Sequence, residues 1–84
     1  MKNANTIIDV RTPGEFRGGN VKGSINIPLN EIHLRLDEIK QMPQPVILCC
    51  ASGNRSSQAM TLLRSKGISC ENGGSWHNLQ IKMR

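Results

Sequence analysis

Residues 46–49, Val-Ile-Leu-Cys, form an apolar run with no polar alternation, the pattern of a strand covered on both faces. Two shorter apolar stretches precede it. Residues 6–10 read as one strand and residues 24–28 as another, closed by Pro28, whose missing N–H suits the end or edge of a sheet. Residues 69–72 read as a last strand. Helical spacing fills the gaps between them. Leu29, Ile32, Leu36 and Ile39 fall on one stripe, with Asn30 as N-cap, His33 off the stripe toward solvent, and Pro43 and Pro45 ending the helix. Ala59, Leu62 and Leu63 repeat the spacing after a helix start capped by Ser56; Gly67 ends that helix with Ile68 set to meet Leu63. A shorter turn begins at Thr12, with Pro13 in the first helical position and Glu15 in the third, a capping box stopped by Gly18 and Gly19. Gly73 and Gly74 are expected to turn the chain into a terminal helix bearing Trp76 and Leu79. Strands alternating with helices predict an α/β fold, with about four mostly parallel strands, right-handed crossovers and an open edge able to pair with a partner.

An 84-residue chain is expected to be one small domain spanning 1–84. Phe16 and Trp76 are its only aromatics, so the core must be aliphatic, with Phe16 expected inside it. No stretch reaches the ~18 apolar residues of a membrane span. The first five residues are too polar for a secretory leader, which points to the cytoplasm. Three cysteines, an odd number without CxxC spacing, and two histidines argue against a disulfide framework and against zinc, so neither metal nor cofactor is expected. The net charge of +5 comes from cations scattered along the chain. That disfavours nucleic acid, which needs a dense basic face, and favours attraction of small anions.

The candidate chemistry lies where the central strand ends. Cys50 is followed by Ala51, Ser52, Gly53 and Asn54, all small, then Arg55 and the helix start. Such a loop can curl until its N–H groups converge on one point, and the helix N-terminus behind adds positive potential. A thiol held there loses its proton more readily than a free cysteine. The competing reading is a small core hydrophobe. The reactive reading requires a sulfur that faces the curl and is open to solvent.

The segment Cys50-Ala51-Ser52-Gly53-Asn54-Arg55-Ser56 resembles the active-site loop of the rhodanese-like sulfurtransferases. Residues 9–16, beginning Asp9-Val10-Arg11, resemble the family's Asp-x-Arg segment; residues 19–28 resemble the segment after it, and Gly73-Gly74 with Trp76 its C-terminal signature. The resemblance implies a three-layer rhodanese-like fold in minimal form, without the usual first strand and helix. It implies Cys50 as nucleophile, residues Ala51, Ser52, Gly53, Asn54 and Arg55 as the substrate cradle, and Asp9, Arg11 and Ser56 in support, with the Asp-x-Arg segment bracing the loop. Members commonly carry His where this chain has Asn20, which cannot titrate. The implied reaction takes sulfur from a small anionic donor such as thiosulfate, or from a persulfide, onto Cys50. It then passes the sulfur to a thiol, cyanide or a protein acceptor. Arg55 would place positive charge near the donor's oxygens. Two alternatives stay open. Counted from Cys49, the loop reads Cys-x5-Arg-Ser and resembles that of cysteine phosphatases and arsenate reductases. The domain could also be a non-catalytic rhodanese-like module that docks partners or senses oxidants. Cys49 and Cys70 read as buried thiols, with a sulfur relay or a regulatory disulfide as the other possibility.

Overall fold

The unbroken apolar run lies at the centre of the sheet. In the computed structural model, which describes residues 5–83, β3 (Val46–Cys50) lies between β1 (Ile7–Asp9) and β4 (Cys70–Ser75), and β2 (Ile25–Asn26) pairs outside β1. The order is β2-β1-β3-β4 and every pairing is parallel. Side chains alternate across the sheet. Ile8, Val10, Val46, Leu48 and Cys50 share the larger core with Ile27, Ile32, Ile39, Ala59 and Leu63. Ile7, Ile47 and Cys49 share the smaller one with Val21, Leu79 and Trp76. The adjacent cysteines therefore belong to opposite faces.

Helices supply both covers. The α1 helix (Pro13–Arg17) carries the complete capping box from Thr12 and Glu15. The α3 helix (Asn54–Ser65) follows the candidate loop and ends as expected: Gly67 takes φ +79°, its amide reaches Arg64 O at 3.1 Å, and the Ile68 amide reaches Leu63 O at 3.0 Å. The α4 helix (Trp76–Met83) carries Trp76 and Leu79. No helix among the described residues is long and apolar enough to cross a membrane.

Five expectations need correction. The stripe from Leu29 to Ile39 forms two pieces, a 3-10 helix at Leu29–Leu34 and α2 at Leu36–Lys40, joined at Arg35. Pro28 takes the N-cap position, so Asn30 falls inside the first turn and caps nothing; Ile32 and Ile39 still point inward. Ser56 is not the cap of α3, because Gly53 takes that place at φ +102° and the helix begins at Asn54. Gly73 and Gly74 do not leave the sheet but continue β4, with a register shift opposite Leu48 and Cys49. A Cβ on Gly73 would sit 2.9 Å from Ile47 Cγ2 and 3.1 Å from the Leu48 carbonyl oxygen, so close packing against β3 explains that glycine. Phe16 is half-buried and belongs to neither core, since α1 buries none of its residues.

Candidate active site

Cys50 is the last residue of β3, at the carboxyl end of a parallel strand, where open α/β sheets place their sites. Its sulfur is aimed into the curl of the loop. The Gly53 amide donates to Sγ at 3.0 Å and the Ser56 amide at 3.4 Å. Gly53 makes this possible: its left-handed φ of +102° folds the loop back on the strand end, a conformation costly for any residue with a Cβ. The Ser56 hydroxyl lies 3.4 Å from the sulfur, while Asn72 Oδ1 accepts from it at 2.7 Å, so one hydroxyl proton has two claimants.

The electrostatics separate the two cysteines. Burial pushes the Cys50 thiol up, but hydrogen bonds from the Ser56 side chain and from the Ser56, Gly53 and Ser52 amides outweigh it, leaving the thiol below its ordinary range. Burial dominates at Cys49 and, with the Asp9 carboxylate, pushes that thiol up to about 12. Cys70 is also pushed up by burial. Of the three thiols, Cys50 alone is shifted below its ordinary range. Ser56→Ala should raise the Cys50 thiol pKa, moving the inflection of its iodoacetamide alkylation rate to higher pH; an unmoved inflection would assign the stabilisation to the backbone amides alone.

Of the two conditions set by the reactive reading, the sulfur meets the first, facing the curl, and fails the second, being open to solvent. Cys50 has no exposed surface. The small residues expected to leave an open cup instead let the amides close onto the sulfur itself. Ala51, Ser52 and Asn54 are exposed along the loop that covers it.

Asp9 and Arg11 form a buried pair. Arg11 Nη2 meets Asp9 Oδ2 at 2.7 Å and Nε lies 3.0 Å from both carboxylate oxygens, with side chains 5% and 0% exposed. The remaining guanidinium donors reach Glu15 O at 3.3 Å and Gly19 O at 2.6 Å, and Trp76 covers the group at 4.7 Å. Among the described residues, no hydrogen bond runs from either side chain to residues 51–56. Their bracing is indirect. They fix α1 and the turn after it, and α1 carries Glu15, whose carboxylate takes Arg55 in a two-bond fork at 2.7 and 3.0 Å. Arg55 is therefore turned to Glu15 rather than left as a free cation. Asn20 donates to Phe16 O at 2.8 Å and closes α1.

Sequence reasoning missed two site residues. In the sequence a capping role accounts for Glu15, and it fulfils that role; its second task requires knowing that α1 faces the loop. Asn72 clamps the loop, donating to Gly53 O at 3.2 Å while its Oδ1 accepts from Ser56 and from the Gly74 amide at 2.9 Å. An Asn before two glycines signals a turn, and only the bulged register of β4 shows its use. Among the described residues, no group of three or more His, Cys, Asp or Glu side chains is placed to hold a metal.

A parallel α/β sheet with a thiol cradled by amides at the end of its central strand defines a class, and the comparisons place the chain within it. It belongs to the family of the Rhodanese-like domain, whose description matches residues 1–79. Among its relatives, YqhL of Bacillus subtilis (strain 168) is 44% identical over 61 residues, covering 73% of this chain and 48% of that protein. Thiosulfate sulfurtransferase PspE of Escherichia coli (strain K12) is 36% identical over 76 residues, covering 88% of this chain and 73% of that one. A solved structure described as a rhodanese with anions from E. coli superposes with a TM-score of 0.80 at 34% identity, over 89% of this chain and 91% of that one. The chain thus spans about half the length of the B. subtilis relative.

Proposed function

We propose that this chain is a sulfurtransferase of the rhodanese type that carries sulfur as a Cys50 persulfide. The observation that carries the reading is the convergence of the Gly53 and Ser56 amides on Cys50 Sγ. Those donors stabilise negative charge at one sulfur position, first on the thiolate and then on the persulfide, without reorganising during the reaction. In the first step the thiolate attacks the outer sulfur of a donor such as thiosulfate or a persulfide, and sulfite or a thiolate leaves. In the second, a thiophilic acceptor such as cyanide, a small thiol or a protein thiol removes the sulfur. Splitting one transfer into two through a covalent intermediate is nucleophilic catalysis. Because the sulfur is enclosed, the loop must part to admit the donor. Relatives named as a thiosulfate sulfurtransferase and as a rhodanese with anions support both the activity and an anion site.

The Cys-x5-Arg register gains nothing from the geometry. Cys49 lies on the opposite face of β3, among Ile7, Val21 and Leu79, with its thiol pushed up to about 12. The deciding experiment is the mass of the protein after incubation with thiosulfate or an organic persulfide. One added sulfur on Cys50, removed by cyanide, is the expected result. No mass gain with either donor, or a gain mapped to Cys49, would overturn the assignment.

A further inference from the structure

Among the described residues, the guanidinium groups of Arg11 and Arg55 are both engaged. Arg11 is spent on Asp9. Arg55 is held by Glu15 through both carboxylate oxygens, at 2.7 and 3.0 Å. Glu15 is itself fixed before it meets Arg55, since its Oε1 accepts from the Thr12 amide at 3.0 Å and the Thr12 hydroxyl at 3.2 Å. Its carboxyl is held down to about 2, first by Arg55 and then by Thr12, so it is ionised wherever a Cys50 thiolate exists. Arg55 directly precedes Ser56, whose amide lies 3.4 Å from Cys50 Sγ, so this cation is carried by the segment that cradles the sulfur. Freed from Glu15, it would be available to an anionic donor.

The charge balance of the first step then matters. A thiolate meeting thiosulfate brings a single negative charge against a dianion, and their repulsion grows with the product of the charges. The loop amides and the N-terminus of α3 still offset it. A protonated organic hydropersulfide carries no such charge. We propose that Glu15 sets the donor preference of this site: by holding Arg55 in a two-bond ion pair, it withholds the loop's cation and favours sulfur carried on an organic thiol over a dianionic donor. The inference rests on the sulfurtransferase reading above. Glu15 acts through Arg55 and is a positioning residue. In the favoured step the Cys50 thiolate attacks the terminal sulfur of R–S–SH. A new S–S bond forms to Cys50 and the donor's S–S bond breaks. The proton stays on the transferred sulfur, the organic thiolate leaves with the electron pair, and no oxidant is consumed.

The test follows loading of Cys50 by mass spectrometry, with thiosulfate and with cysteine hydropersulfide, in the wild type and in Glu15→Gln. Gln preserves the cap geometry and removes only the charge. The wild type should half-saturate at a lower hydropersulfide than thiosulfate concentration. In Glu15→Gln the ratio of half-saturating thiosulfate to half-saturating hydropersulfide should fall about fivefold, the effect of freeing one partly exposed cation. That gain should shrink at high salt. Glu15→Gln/Arg55→Gln should restore the ratio, which a merely structural role for Glu15 would not do. An unchanged or larger ratio in folded Glu15→Gln overturns the inference, as does a wild type that half-saturates at lower thiosulfate. Should Glu15→Gln not fold, the wild-type comparison alone decides. Loading by neither donor removes the sulfurtransferase reading and this inference with it.

Discussion

Cys50→Ser should abolish sulfur transfer, by at least about a thousandfold, because the step needs a sulfur nucleophile that can hold a second sulfur. A serine hydroxyl in the same cradle would receive the same amide hydrogens, yet it stays protonated and forms no persulfide. Cys49→Ala is the control. Cys49 is fully buried in the smaller core, and alanine leaves no unsatisfied polar atom there. That variant should retain transfer and lose only some stability through the small cavity. Transfer to cyanide, measured for both variants beside their thermal melts, separates chemistry from folding. Activity surviving in Cys50→Ser and vanishing in a folded Cys49→Ala would move the nucleophile to the other face of β3.

Much of this site was legible in the chain, and the unread parts share a cause. The central strand announces itself, because residues 46–49 have no polar position to turn outward. The capping box of α1 and the close of α3 at Gly67 are local motifs, set by residues within a few positions of one another, and both form as read. The curl after Cys50 follows from small residues before a helix start. What sequence does not carry is the pairing of distant segments. Glu15 and Arg55 lie forty positions apart, and Asn72 meets Ser56 across sixteen. Ser56 looks like a cap because serine at a helix start usually is one. Here Gly53 takes the cap position, and Ser56 moves inside the first turn, where its hydroxyl and amide are turned to the sulfur and to Asn72. The enclosure of Cys50 was illegible for a related reason. A loop of small residues allows both an open cup and a closed one, and the choice depends on where β4 and α1 hold its ends.

Asp9→Asn should be the most destabilising single change in the site's support. It keeps the shape of the side chain but leaves the Arg11 side chain, 5% exposed, without its counter-charge. Removing one partner of a buried ion pair costs about 3–5 kcal/mol, chiefly because the other charge stays buried. A folded chain of this size holds roughly 4–12 kcal/mol in total, so the loss is a large fraction of it. For a domain of this length, about 3 kcal/mol corresponds to a fall in Tm of at least roughly 12 °C. The displaced guanidinium would also release Gly19 O and Glu15 O, loosening α1 and with it the hold on Arg55. The partner change makes the test specific. Asp9→Asn/Arg11→Met removes both charges and keeps an apolar stem under Trp76, so it should melt above Asp9→Asn alone. Thermal melts of the two variants read this directly. A Tm for Asp9→Asn close to wild type, or a double variant less stable than the single, would mean that the pair does not hold this corner of the molecule and that α1 is positioned by its packing alone.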